Sequence, residues 1–383
     1  MTTELKIHAD ELDGETIKQI YMVRDHPSVE GLIAIMPDTH AGAGVPIGTT
    51  LRFGESIVPD FIGVDIGCGM KAIKLGSIEI DFKKLDSEIK RAVPLGMKHR
   101  EPKAAMSVIE RYSRSEHCGH KLKNTMDEAI EAWQRLKIRN PVENQLGTLG
   151  GGNHFIEIGK DSNNDYWLII HSGSRNFGLW VANTYQTMAR AITPVGSVPK
   201  GTEYLPMDQG GKDYLRDMKV AQRFAEANRE IMARMILHAL DVKYDENNVI
   251  NSIHNYIADD GICRKGAIQA YKGQKGVIPL NMKDGTLIIK GKGNPEYNFS
   301  APHGAGRVYS RGKMKEMMRN GTYTVEDFQK SMAGVFTTTA NASTIDESPL
   351  AYKPLSLIQK YLEETVEVID IIKPVYNLKA SGD

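Results

Sequence analysis

Cysteine is scarce in this chain. Only Cys68, Cys118 and Cys263 occur in 383 residues, far apart and with no C-x-x-C pair. An odd, scattered set gives no disulfide framework and points to a reducing compartment. Net charge is absent too, because 48 Lys+Arg balance 48 Asp+Glu. A polyanionic partner would need a local basic cleft rather than an overall field. No uncharged apolar run approaches the roughly 20 residues of a membrane span. The opening residues, Met1-Thr2-Thr3-Glu4-Leu5-Lys6, have no apolar signal region. Together these absences predict a cytoplasmic protein with no membrane contact. Standard nucleotide motifs are missing as well. There is no G-x-x-x-x-G-K-[ST], and no G-x-G-x-x-G between a strand and a helix. Lys283-Asp284-Gly285 falls one residue short of the K-x-D-G of lysine-adenylating ligases.

Hydrophobic residues at 41% and charged residues at 25% supply a sizeable core. No repeat or low-complexity linker divides the chain, so one large intertwined domain over residues 1–383 is expected. Residues 104–114, 122–136, 179–192, 214–240 and 354–369 read as helices. In 122–136, Met126, Ile130, Trp133 and Leu136 share one face. In 214–240, Leu215, Met218, Ala221, Ala225, Met232 and Ile236 do the same. Residues 57–64, 166–170, 249–256, 274–300 and 375–379 read as strands. After Gly150-Gly151-Gly152, alternation sets Asn153, Phe155 and Glu157 opposite His154, Ile156 and Ile158. The fold class is therefore α+β.

The chemistry-bearing residues sit in glycine-rich turns and at strand ends. Val64-Asp65-Ile66-Gly67-Cys68-Gly69-Met70 holds an acid and a cysteine three residues apart. A carboxylate and a thiolate on such a turn can share a divalent metal, although a structural turn with a buried cysteine fits equally. Asp38 and His40 lead into a loop carrying Gly42, Gly44 and Gly48. His154 follows the glycine triplet, and His254 lies in a strand-like run. His171-Ser172-Gly173-Ser174-Arg175 combines a histidine, hydroxyls and an arginine suited to an anion. Arg264-Lys265 is either a phosphate contact or a solvated turn. In His303-Gly304-Ala305-Gly306-Arg307, small residues leave room for a phosphate beside the ring. His117-Cys118-Gly119-His120 has metal-binding residue types, but such a cluster in a polar connector is more often incidental. Spacing alone does not bring these residues together.

The motifs carry a specific resemblance. The pattern M-P-D-x-H-x-G-x-G-x-P-I-G (36–48), V-D-I-G-C-G-M, G-G-G-N-H-F-I-E-I, H-S-G-S-R, H-N-Y (254–256), R-K-G-A and H-G-A-G-R resembles the RtcB family of RNA ligases, in family order. The family's D-E-x-P-x-A-Y-K element stands at 346–353, and a lysine near the C-terminus recurs as Lys379. The resemblance implies an RtcB-like fold, with β-sheets around a dinuclear metal site and flanking helices. It also implies a ligase that joins RNA 3′-phosphate or 2′,3′-cyclic phosphate ends to 5′-hydroxyl ends, using GTP and two Mn²⁺. Asp65, Cys68 and His154 would hold one ion, and Cys68, His171 and His254 the other. His303 would be the nucleophile that carries GMP. Asn153, Phe155, Glu157, Ala305, Tyr352 and Lys379 would line the guanylate pocket. Arg175, His40 and Arg307 would meet RNA, with Asp38 near the reacting ends. Where the family usually has a serine loop on the nucleotide, residues 279–285 read Pro-Leu-Asn-Met-Lys-Asp-Gly. Arg175, Arg264, Lys265, Arg307, Arg311, Lys313 and Lys315 suggest a basic groove. A cyclic phosphodiesterase or end-capping paralogue, and a non-catalytic RNA-binding descendant, are the competing readings.

Overall fold

Alternating side chains build the larger of two main sheets. Seven strands lie in the order Lys275–Asn281, Gly285–Gly291, Val366–Lys379, Phe155–Lys160, Tyr166–Ser172, Gly69–Gly76 and Val249–Ile253. Every adjacent pair is antiparallel. The computed structural model describes residues 3–115 and 118–381. The sheet curls until its outer strands meet, and the Val277 N–H donates to Ser252 Oγ across the seam at 2.9 Å. The result is a nearly closed barrel. Met70, Ala72, Phe155, Trp167, Ile169, Ile250, Val277, Ile288 and Ile372 pack together on one face. Ile73, Ile156, Ile158, Leu168, Ile170 and Leu378 point the other way, into a core shared with helices. This is the period-two division expected of strands buried on both faces.

A second, five-stranded sheet runs Glu4–Ile7, Val29–His40, Ile47–Phe53, Ile262–Lys265 and Asn255–Ile257. The chain passes from one sheet to the other at His254, between Val249–Ile253 and Asn255–Ile257. The helix Lys212–Ala239 joins the cores. Met218, Ala221, Phe224 and Ile231 lie in one, and Met232, Ile236 and Leu237 in the other. Helices Gly119–Arg135 and Arg175–Ile192 pack beside it; of the face expected in the first, Met126 is buried and Ile130, Trp133 and Leu136 are half-buried against the core. Among the described residues, no helix is long and apolar enough to cross a membrane.

The α+β class is the one expected, but two boundaries differ. Residues 57–64 are not one strand: a two-residue strand, Ser56–Ile57, gives way to a 3-10 turn, Pro59–Phe61. Pro59 has no N–H for a ladder and suits the first position of a turn. Phe61 and Ile62 are buried regardless. The helix expected over 354–369 spans Leu355–Thr365, and Val366 starts the long C-terminal strand. Its β-branched run pairs with Gly285–Gly291, so tertiary pairing decides the boundary.

Candidate active site

Three ring-bearing segments converge on Cys68. Its turn is held by Gly67, at φ +68°, where a Cβ would lie 2.8 Å from Gln222 Cα. Cys68 Sγ lies 3.4 Å from His154 Nε2 and 3.3 Å from His171 Nε2. His154 Nε2 is 3.0 Å from Asp65 Oδ2, and His171 Nε2 is 3.3 Å from His254 Nε2. Two triads result, Asp65/Cys68/His154 and Cys68/His171/His254, with Cys68 common to both. The far nitrogens are pinned. His154 Nδ1 donates to Leu149 O and His171 Nδ1 to Asn153 O, each at 3.0 Å. This turns both Nε2 atoms towards the sulfur, as second-shell bonds do for metal-binding histidines.

The electrostatics fit a cation. Burial, with the Asp65 carboxylate adding to it, pushes the Cys68 thiol well up. Burial pushes His171 and His254 well down. For Asp65, burial is outweighed by the neighbouring His154, which holds the carboxyl below its usual range. The His171 and His254 Nε2 atoms thus lie within about 3.3 Å of one another, and His171 Nε2 as close to the sulfur. Divalent cations held there would stabilise the thiolate. Nitrogen, sulfur and one carboxylate suit transition ions, Mn²⁺ among them.

His303 follows the short strand Ser300–Pro302, with its ring 4.9 Å from that of His254. Its Nδ1 lies 2.7 Å from Oδ2 of the fully buried Asp38. A carboxylate accepts, so Nδ1 donates and Nε2 keeps the lone pair. Asp38 therefore stands behind the His303 ring and positions it. Gly306, at φ +76°, lets the His303 loop approach, since a Cβ would come within 2.4 Å of Asp38 O. His40 Nδ1 donates to Asp38 O at 3.0 Å, and Lys353 Nζ donates to Pro37 O and Thr39 O.

His303 lines a cavity of about 890 Å³, counting its open mouth. Asn153, Phe155, Glu157, Ala305, Tyr352 and Lys379 all line it too. Burial pushes Glu157 up to about 8, although Asn377 and Thr286 donate to it. Opposite lies Glu347, a buried carboxylate gripped by Arg307, Arg311 and Lys379 at 3.0–3.2 Å and bonded to the Tyr352 hydroxyl. Burial would raise it, but the three cations hold it at about 2. Arg307 also donates to Asp346 O. It belongs to this wall, on the cavity side. Glu347, Arg311 and Asn377 are cavity-side residues to which the sequence reading gave no pocket role. Glu347 was within reach as the second residue of the 346–353 element, and Asn377 through its parity with Lys379. At 279–282 the wall is Pro-Leu-Asn-Met. The Asn281 side chain is spent on its own turn, bonding Lys283 N, Asp284 N and Asp284 Oδ2.

A second, more open cleft reaches the cluster from the other side, lined by Asp65, Asn153, His154, Arg175 and Asn176. Arg175 is braced by Thr148 Oγ1 and Gly96 O. The broad basic groove is not formed as expected. Arg264 is fully buried on Asp260 and Ser300. Lys265 is buried against Ala43 O and Asp60 O, and burial pushes it down to about 8. Lys313 pairs with Glu316. Cys118 bonds Tyr112 O and joins neither triad; His117 lies outside the described residues.

Fold and site together define an α+β protein with a metal-type donor centre beside a histidine bonded to a buried carboxylate. The family model described as tRNA-splicing ligase RtcB matches residues 19–380. Among curated relatives, the chain is 31% identical to RNA-splicing ligase RtcB of Escherichia coli K12, over 96% of this chain and 95% of that protein. It is 27% identical to tRNA-splicing ligase RtcB of Aeropyrum pernix, over 90% and 86% respectively. The chain belongs to the RtcB family and is an RNA ligase.

Proposed function

We propose that this ligase joins RNA ends bearing a 3′-phosphate or 2′,3′-cyclic phosphate to 5′-hydroxyl ends, in RNA repair or tRNA splicing. It uses GTP and two Mn²⁺ and passes through a guanylylated His303. The observation that carries the reading is the Asp38–His303 bond, which leaves Nε2 with a lone pair on a ring lining the cavity. Nε2 attacks the α-phosphorus of GTP, and a nitrogen–phosphorus bond forms as the bond to pyrophosphate breaks. Asp38 holds the Nδ1 proton and stabilises the charge the ring acquires. GMP then passes from His303 to the RNA 3′-phosphate. The 5′-hydroxyl attacks that activated end and GMP leaves. A cyclic phosphate is first opened by water. Ions held by the Cys68 triads would offset charge on the phosphate oxygens. Arg175, in the second cleft, suits an RNA phosphate. A phosphodiesterase would need the donor triads but has no use for the Asp38–His303 pair. Three free, buried cysteines support a cytoplasmic setting.

The test is His303→Ala. With labelled GTP and Mn²⁺ the variant forms no acid-labile protein adduct and joins no unactivated ends. It still seals RNA supplied with a guanylylated 3′ end. Ligation of unactivated ends at the normal rate by this variant would remove His303 from the mechanism.

A further inference from the structure

Asn377 is nearly fully buried on the C-terminal strand, directly opposite Glu157 in the strand register. Its Nδ2 donates to Glu157 Oε2 at 2.9 Å. Once Glu157 has given up its proton it can only accept, so this bond sets which way the amide faces. The Asn377 carbonyl, Oδ1, is therefore turned away from Glu157. It is buried without any hydrogen-bond partner, in a side chain that lines the cavity shared with His303. A buried, unpartnered acceptor is costly and calls for a donor.

The acceptors here are clustered. Thr286 Oγ1 donates to Glu157 Oε1 at 3.3 Å, and each carboxylate oxygen keeps a further lone pair. With Glu157 ionised, it and Asn377 Oδ1 together present acceptors only. The Watson–Crick edge of guanine offers N1–H and an N2 amino group. The edge of adenine places an acceptor at N1. We propose that Asn377 is a specificity-determining residue that accepts a hydrogen bond from the guanine N2 amino group while Glu157 takes N1–H. The inference rests on the guanine-nucleotide reading of the cavity. It assigns the second half of base recognition to a residue outside the motif segments.

Calorimetric titration of the full chain with GMP, IMP and AMP tests this. None of the three carries a pyrophosphate leaving group, so binding is read without reaction. IMP keeps N1–H and lacks the amino group. The full chain binds GMP about tenfold more tightly than IMP, the effect of one hydrogen bond to an otherwise unpaired buried group. Asn377→Ala and Asn377→Val lose that preference. GMP affinity falls towards the IMP level, while IMP binding persists and shows that the cavity is intact. Valine keeps a strand-forming shape without polar atoms. An unchanged GMP-to-IMP ratio in the variants, or a parallel loss of both ligands, overturns the assignment to Asn377. Equal binding of GMP and IMP by the unaltered chain overturns it without any variant. Equal binding of GMP and AMP by the unaltered chain instead overturns the guanine reading, and the proposal with it.

Discussion

Glu157 shows how a single residue in this site sets a pH dependence. Burial raises it from an ordinary 4.5 to about 8. Between those values the folded chain holds a proton that the unfolded chain has released. Stability therefore falls as pH rises across that window, by about 1.4 kcal/mol per pH unit. It levels off below 4.5 and above 8. Glu157→Gln removes this term. Without nucleotide, the glutamine variant should gain on the parent in thermal midpoint as pH goes from 5 to 8, and equal pH profiles would contradict the buried, proton-holding carboxyl. The strand alternation already placed Glu157 beside Phe155, since position along a strand fixes the face. Its partners Asn377 and Thr286 come from strands more than a hundred residues away, and no local pattern announces them. The bond of Asp38 to His303 was hidden for the same reason. The acid was visible in the glycine loop, but its bond to His303 spans 265 residues.

Most of the candidate metal donors come from the ends of elements. Cys68 closes the turn before Gly69–Gly76, His171 lies near the end of Tyr166–Ser172, and His254 is the break between two sheets. Element ends are where side chains can leave a sheet face and converge. Sharing of Cys68 predicts an asymmetry. Cys68→Ala should lose high-affinity binding at both Mn²⁺ positions. His254→Ala should weaken only one, by more than the roughly 10–100-fold typical of outer-shell partners. Metal titration of the two variants decides this, and loss of one ion in each would refute a shared thiolate. The five helices read from the sequence were legible because 3.6-residue spacing is a local signal that burial later respects, whereas Gly14–Arg24, Phe82–Ala92, Arg311–Arg319 and Val325–Ser331 were not read. The boundaries at Pro59 and Val366 were not legible. A missing N–H ended one strand, and long-range pairing started another.

At the scale of the molecule, balanced charge is used inward. Arg264, Lys265 and Arg229 are buried in the framework, and Arg307, Arg311 and Lys379 surround Glu347. Arg175 and Lys98 line the open cleft, so RNA affinity there should fall as salt rises. Arg175→Ala should lower the slope of log affinity against log salt by roughly 0.7, one single-strand phosphate contact. Lys313→Ala, already paired with Glu316, should leave it unchanged. Salt titration of RNA binding by the three proteins measures both, and a steep slope insensitive to Arg175 would place the RNA elsewhere. The barrel carries a further consequence. Its last gap is bridged by a serine hydroxyl where other neighbours share a ladder. One bank of the gap, Val249–Ile253, runs straight into His254. The other, Lys275–Asn281, forms the apolar wall of the cavity. Whatever reaches from the donor triad to that wall splints the one unzipped line of the sheet, so filling the site and closing the barrel become a single equilibrium.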